Sequence, residues 1–179
     1  MSLDSKMNDA LNEQINAEMY SAYLYLSMGS WFEDQNLMGF ANWFRCQYLE
    51  ENMHAMKFYN FVNERGGRVI LKAIEGPRTE WGSWIEAFEQ VAEHEAHVTS
   101  LINNLMAQAR ELKDFASESF LMWYVDEQVE EEATADELLS RLKLIGSDPN
   151  ALYNLDTELK GRAPSPNVIP IHLGQAVKA

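Results

Sequence analysis

The sequence predicts an all-α protein, built as a four-helix bundle with one long crossover and a short fifth helix. Three observations indicate this fold. Apolar residues recur at helical spacing through four long segments, glycine or proline marks several segment ends, and one connection is long enough to run the length of a bundle. The 179 residues suit one domain, and a hydrophobic content of 46% is sufficient for an extended core.

The first two helices are predicted from about Asp4 to Glu33 and from about Leu37 to Arg65, where apolar residues follow a helical period. Only a short polar link joins them, so they should pack as an antiparallel hairpin. Gly66 and Gly67 should end the second helix, because glycine readily takes the conformation that closes a helix.

The third and fourth helices are predicted from about Ser83 to Leu112 and from about Asp114 to Ile145, again as an antiparallel pair. The connection between the second and third helices, residues 66–82, is much longer. About 16 extended residues span roughly 50 Å at ~3.3 Å each. A helix of about 28 residues is only roughly 42 Å long. The connection can therefore cross the whole bundle, which lets the second and third helices run parallel.

A short fifth helix is predicted from Asp148 to Leu159, after a stop at Gly146, with Asp148 as its N-cap and Pro149 in its first turn. The tail that follows contains three prolines, so its first part cannot be helical. The predicted division of the chain is a four-helix bundle at 1–145, the short fifth helix at 146–162 and a Pro-containing tail at 163–179.

The charge balance argues against one broad class of function. With 28 acidic against 14 basic residues, the net charge of −14 offers no basic footprint for nucleic acid. The acidic surplus is compatible with a protein that handles cations, although solubility alone would also explain it.

The single cysteine, Cys46, leaves neither an intramolecular disulfide nor a Cys-x-x-Cys metal site, and it fits a free thiol in a reducing compartment. The N-terminal stretch lacks the apolar segment of a signal peptide, and no window of about 18 apolar residues could span a membrane. We therefore expect a cytoplasmic protein that binds neither nucleic acid nor membranes.

Each long helix has an inward seam of mostly apolar residues that is interrupted near its middle by polar side chains. In a bundle of helices of similar length, the four midpoints meet in one layer. The interrupting residues are Glu18 in the first helix, Glu51 and His54 in the second, Glu95 in the third, and Gln128 and Glu131 in the fourth.

Four carboxylates in one buried layer predict a metal centre. Burying each carboxylate costs several kcal/mol, and the seams contain no lysine or arginine that would make this a salt-bridged core. Two divalent cations would balance the four negative charges. Oxygen ligands with one imidazole suit iron or manganese, and zinc could compete for the same site.

The spacing of Glu51 and His54, three residues apart on one helix face, lets both side chains reach one ion. A Glu from each of two helices plus Glu-x-x-His from the others is the recurring pattern of di-iron bundles. The fourth helix departs from that pattern with Gln128 and Glu131. The second ion should therefore be held more weakly and by oxygen ligands only, which suits iron that passes through.

Four further residues lie close to the predicted ligands. Glu50, Glu127 and Glu130 are predicted to form an exit or third metal site towards one surface of the bundle, although Glu130, like its neighbour Glu132, would also fit a solvated acidic face. Tyr25 lies two turns after Glu18 on the same helix face. It is either a partner of the centre, through a hydrogen bond or electron donation, or an ordinary core tyrosine.

The chain resembles the non-haem ferritins of bacteria and archaea from about Asn8 to Leu159. The stretches that carry the resemblance are NEQINAEMYSAYLYLSM, EENMHAMKF, AEHEAHVT, FLMWYVDEQVEEE and LYNLDTEL. The resemblance implies the ferritin-like fold and a homo-oligomeric, hollow shell of twenty-four subunits. It also implies iron storage by a ferroxidase, which oxidises Fe(II) with O2 or H2O2 at an intrasubunit di-iron centre and stores a ferric oxyhydroxide mineral.

The same resemblance implies roles for individual residues. One iron is expected on Glu18, Glu51 and His54, and the second on the bridging Glu51, Glu95 and Glu131, with Gln128 close by. A third site, typical of the bacterial branch, would use Glu50, Glu127, Glu130 and Glu131. Tyr25 matches the tyrosine of the family near the centre.

Haem-binding relatives carry a methionine directly after the bridging glutamate, where this chain has Asn52. Met53 follows one position later, and a shift of one residue turns a helical side chain by about 100°. No haem is therefore expected. The alternatives left open are a di-iron oxygenase or peroxidase and a non-catalytic protein whose centre only buffers metal.

Overall fold

The computed structural model describes residues 3–165, and within them all regular secondary structure is helical. The helices are α1 (Ser5–Asp34), α2 (Met38–Glu64), α3 (Trp84–Glu111), α4 (Phe115–Ile145) and α5 (Pro149–Leu159). The predicted all-α fold is confirmed, and the observed helix ends lie within one residue of the predicted ones. The division into three segments stays a prediction, and residues 166–179 of the expected tail lie outside the described residues.

Side-chain caps explain where most of the helices begin. The side chains of Asp4, Ser83, Asp114 and Asp148 each accept a hydrogen bond from a backbone N–H in the first turn of the helix that follows. These bonds satisfy donors that a helix start leaves without intrahelical partners. Gly66, just past the end of α2, has a φ of 70°, which glycine adopts without strain.

The start of α2 is capped from another helix, which the sequence does not reveal. Asp156 of α5 accepts hydrogen bonds from the backbone N–H groups of Gly39 (2.6 Å) and Phe40 (3.2 Å). The two helices approach so closely that a Cβ atom on Gly39 would lie 1.6 Å from the carbonyl oxygen of Asp156. A glycine is therefore required at this contact, which fixes α5 against the beginning of α2.

Contacts along the helices give their directions. Leu3 N bonds to Arg65 O (3.1 Å), whereas Gly29 faces Phe44, so α1 and α2 are antiparallel. Arg65, just after α2, forms an ion pair with Asp114, just before α4, at 3.1 Å, and the Tyr124 hydroxyl donates to His54 O at 2.8 Å. These two contacts show that α2 and α4 are also antiparallel. The hairpin of α3 and α4 then makes α2 and α3 parallel, as predicted.

The long crossover follows α1 through side-chain bonds to its backbone. Asn12 donates to Arg68 O (3.0 Å), Asn16 to Ala73 O (3.1 Å) and Ser27 to Arg78 O (2.8 Å). The donors are spread over about four turns of α1. The crossover therefore extends along α1 far enough to connect the end of α2 with the start of the parallel helix α3.

The apolar core is divided into two clusters. One surrounds Phe32, Phe44 and Phe88, and the other surrounds Leu11 and Phe58. The six polar residues that interrupt the predicted seams lie between these clusters, and all six are buried. No helix between residues 3 and 165 is both long and apolar enough to cross a membrane.

Candidate metal centre

The polar layer consists of Glu18, Glu51, His54, Glu95, Gln128 and Glu131. Each of these residues interrupts an otherwise apolar face of one of the four long helices, and each is at most 8% exposed. The helices are antiparallel or parallel neighbours of similar length, so the interruptions fall at the same height in the bundle. The layer therefore has the position that the sequence predicts.

Three members of the layer form a compact ligand set on α1 and α2. One donor atom from each of Glu18, Glu51 and His54 lies within 4.8 Å of the others, a spacing that could hold one ion. Gln14 donates to Glu18 Oε1 at 2.8 Å, and the hydroxyl of Tyr124 donates to the backbone oxygen of His54 at 2.8 Å. These bonds fix the orientation of Glu18 and the position of the helix turn that carries the imidazole.

Two atoms of this set lack hydrogen-bond partners. Within residues 3–165, the buried side-chain polar atoms without one are Glu51 Oε2, His54 Nε2 and Trp84 Nε1. His54 Nδ1 lies 3.3 Å from Glu51 Oε2 without hydrogen-bond geometry, and His54 Nε2 lies 3.8 Å from Glu127 Oε1. An unsatisfied buried polar atom costs about 1–3 kcal/mol. A cation held by Glu51 Oε2 and His54 Nδ1 would remove that cost for the carboxylate oxygen.

The other half of the layer comes from α3 and α4 and is held by neutral donors. Glu95 accepts a hydrogen bond from the Tyr25 hydroxyl, and Gln128 Nε2 lies 3.3 Å from Glu95 Oε2. Glu131 Oε2 accepts from Gln47 Nε2 at 2.9 Å. Glu95 and Glu131 do not join the compact set of Glu18, Glu51 and His54 at its 4.8 Å spacing. They lie within electrostatic reach of it, since both raise the pKa of Glu51.

Burial dominates the electrostatics of the layer. Burial, and then the charge of Glu51, raises the pKa of Glu18 to about 8. Burial likewise raises the pKa of Glu51 and of Glu95 to about 7 each. Burial lowers the pKa of His54, but neighbouring carboxylates outweigh it and hold that pKa well above its ordinary value. The metal-free layer thus retains protons near neutral pH, and a metal ion would displace them.

Tyr25 is fully buried, and its hydroxyl bonds to Glu95. Burial and the charge of Glu95 raise the pKa of Tyr25 well above its ordinary value, so the phenol stays protonated and donates. The sequence suggested two roles for Tyr25 at the centre, a hydrogen bond to a ligand and electron donation. The structure contains the hydrogen bond, from Tyr25 to Glu95. Electron donation by Tyr25 stays a prediction.

The residues predicted for a third metal site have different surroundings. Glu50 is buried and accepts hydrogen bonds from Arg162 and from the backbone of Ser165, both at 2.7 Å. The side chain of Glu127 is 24% exposed and faces His54, whereas Glu130 is exposed. With Glu131 bonded to Gln47, these acids do not form one compact ligand set within the described residues.

Sequence reasoning missed the residues that orient the ligands. Gln14 lies one helical turn before Glu18, and Gln47 one turn before Glu51, and both amides are buried. A buried amide next to an interrupted seam is a signal that could have identified them. Arg162 gave no such signal, because it follows α5 and lies 112 residues from its partner Glu50.

Comparison with known proteins places these features in a family. The family model described as "Ferritin-like domain" matches residues 8–145. The chain is 42% identical over 161 residues to a bacterial non-heme ferritin of Staphylococcus saprophyticus, covering 90% of this chain and 96% of the relative. It is 39% identical over 160 residues to the bacterial non-heme ferritin of Staphylococcus aureus, covering 89% and 96%.

Solved structures agree with this relationship. An open-pore ferritin from the hyperthermophilic archaeon Archaeoglobus fulgidus superposes with a TM-score of 0.90 at 57% identity, covering 90% of this chain and all of the other. An engineered closed form of the Archaeoglobus fulgidus ferritin gives a TM-score of 0.91 at 56% identity, covering 92% of this chain and all of the other. The bundle, the buried acidic layer and these matches lead to one conclusion: the chain belongs to the ferritin family.

Proposed function

We propose that this protein is an iron-storage ferritin whose polar layer is a ferroxidase site. It takes up Fe(II), oxidises it within the bundle, and stores the product as a ferric oxyhydroxide mineral inside a hollow shell. Family membership supports iron storage. The observation that carries the proposal is the unpartnered buried oxygen Glu51 Oε2, which lies 3.3 Å from His54 Nδ1 in a cluster that could hold a metal ion.

The ligands divide into two groups around Glu51. Glu18, Glu51 and His54 would bind one substrate iron, because their donor atoms are already close together. Glu51, Glu95 and Glu131 would bind the second, with Gln128 beside them. Two Fe(II) ions carry four positive charges, which balance the four buried carboxylates once these have lost their protons.

The surrounding residues keep the ligands oriented while iron ions bind and leave. Gln14 orients Glu18, Gln47 orients Glu131, and Tyr25 orients Glu95, each by donating a hydrogen bond. When bound, the two Fe(II) ions supply one electron each to an oxidant, for which we propose O2 or H2O2. The apolar clusters on both sides of the layer keep bulk water away from this exchange.

The second site should bind iron less tightly than the first. Its ligands are carboxylate oxygens, and Gln128 replaces the carboxylate that a symmetric di-iron bundle would place there. Gln128 also donates its amide towards Glu95 and Thr99. Weak binding at one of the two positions favours turnover of iron over its permanent retention.

We further propose that the chain assembles into a shell of twenty-four copies and works in the cytoplasm. The relatives support an assembly enclosing a pore or cavity, since the Archaeoglobus fulgidus proteins are described as open-pore and closed-form ferritins. Gel filtration with light scattering tests the assembly directly. A particle of several hundred kilodaltons is expected, and a monomer or dimer would contradict it.

Aerobic addition of Fe(II) to metal-free protein tests the function. We expect rapid consumption of O2 and accumulation of far more iron than two or three ions per chain. Glu51→Ala and His54→Ala should slow the oxidation strongly, because each removes a ligand of the compact set. Glu137→Ala, on the exposed face of α4, is the matched control and should oxidise iron at the rate of the parent chain. Iron uptake that stops at two ions per chain would contradict storage.

A further inference from the structure

The chain beyond α5 folds back onto α2 beside the polar layer. Asn42 donates hydrogen bonds to Leu159 O (3.1 Å) and to Arg162 O (2.9 Å), which hold the backbone of this segment. The guanidinium of Arg162 lies over the ring of Trp43, 4.9 Å from its centroid, and also donates to Trp43 O at 3.3 Å. Backbone and side-chain contacts together give Arg162 a defined position.

From that position Arg162 reaches two side chains of α2. Its Nη2 donates to Glu50 Oε2 at 2.7 Å and to Gln47 Oε1. The other oxygen of Glu50 accepts from the backbone N–H of Ser165 at 2.7 Å. Both carboxylate oxygens of Glu50 are therefore occupied by donors of the segment after α5. The ion pair is largely shielded, with side-chain exposures of 24% for Arg162 and 7% for Glu50.

The contact also determines which way Gln47 points. A guanidinium only donates hydrogen bonds, so it requires the amide oxygen of Gln47 on its side. The amide nitrogen then faces the layer, where Gln47 Nε2 donates to Glu131 Oε2 at 2.9 Å. Arg162 is thus connected through one side chain to a predicted ligand of the second iron.

We propose that Arg162 takes the place beside Glu50 that a third metal ion would need, and that it positions Glu131 through Gln47. This inference rests on the proposed function, in which the layer itself binds two ions. Two divalent cations balance the four carboxylates of the layer, and Arg162 balances Glu50. A third divalent cation would have to displace a guanidinium bonded to Glu50, Gln47 and Trp43.

Glu50 is unavailable as a metal ligand, because both of its carboxylate oxygens accept hydrogen bonds. The other acids expected at a third site do not form a metal site without it. Glu130 is exposed, and Glu127 faces His54 with a separation of 3.8 Å between Oε1 and Nε2. Glu131 is turned to Gln47. The chain is therefore expected to bind two transition-metal ions per subunit, the second less tightly than the first, and Arg162 is the residue that sets this limit.

Anaerobic titration of the assembled protein with Co(II), followed by d–d absorption and calorimetry, tests the inference. The parent chain should bind two ions per subunit, the second less tightly than the first. Arg162→Gln should admit a third ion and weaken the second about tenfold, as expected when a ligand loses its orienting partner. Arg162→Lys keeps a positive charge beside Glu50 and should restore the count of two. Arg141→Gln, which removes an exposed guanidinium bonded to Glu158, is the matched control and should also bind two.

Three Co(II) ions bound per subunit of the parent chain would overturn the inference without any variant. A count of two in Arg162→Gln, or of three in Arg162→Lys, would also overturn it. The proposed function fails in a different way, because Glu51→Ala should lose the ions of the layer. If Glu51→Ala binds Co(II) like the parent chain, the layer is not the metal site.

Discussion

Glu18→Gln should make the metal-free protein more stable at alkaline pH and less able to gain stability from metal. Burial raises the pKa of Glu18 from 4.5 to about 8. Between pH 4.5 and about pH 8, Glu18 holds a proton in the folded protein that it has released in the unfolded chain. The free energy of unfolding therefore falls as the pH rises. Each pKa unit corresponds to about 1.4 kcal/mol, which gives about 5 kcal/mol for this group above pH ~8. Glutamine has a similar shape and does not titrate.

Thermal unfolding of chelator-treated protein at a fixed scan rate, from about pH 5 to pH 9, measures this difference. The two proteins should have similar midpoints at pH ~5, where Glu18 is largely protonated. At pH ~9 the variant should unfold about 10–20 °C higher, at about 2–4 °C per kcal/mol for a chain of this size. With Zn(II) the order should reverse, since the parent chain has the complete ligand set. Equal pH dependence of the two metal-free proteins would refute the reasoning.

Three further substitutions test the scaffold and the orientation of the ligands. Gly39→Ala places a Cβ against the backbone of Asp156, so overpacking should cost at least about 1–3 kcal/mol, measured by denaturant unfolding. Asn12→Ala removes two bonds to the crossover and should cost about 2 kcal/mol, with faster hydrogen exchange at residues 68–73; unchanged exchange would contradict this. Tyr25→Phe removes the hydroxyl bonded to Glu95 and should slow Fe(II) oxidation about 10- to 100-fold without loss of helicity; an unchanged rate would contradict its orienting role.

The helices could be predicted closely because their signals are local. Asp148 and Pro149 mark the start of α5 within two neighbouring positions, and Gly66 follows the C-cap residue of α2. Glu51 and His54 stand out for a related reason, since polar side chains in an apolar seam violate a helical period that the rest of the segment follows. Both residues are buried in the structure, whereas their role as metal ligands stays a prediction.

The contacts that orient the side chains of the layer could not be predicted, because they depend on how segments distant in the sequence pack together. The acid at position 50 looks like a free ligand in the sequence, but its partner Arg162 arrives only after α5 has docked on α2. That docking depends in turn on Asp156 capping the first turn of α2. A pattern confined to one helix contains no information about such a partner.

The proposed function requires metal ions to occupy the buried acidic layer. Anomalous diffraction at the iron edge, from crystals soaked in Fe(II) without oxygen, measures this most directly. We predict two peaks per chain, one among Glu18, Glu51 and His54 and the other beside Glu95 and Glu131. A layer without an anomalous peak, or carboxylates turned away towards solvent, would contradict it.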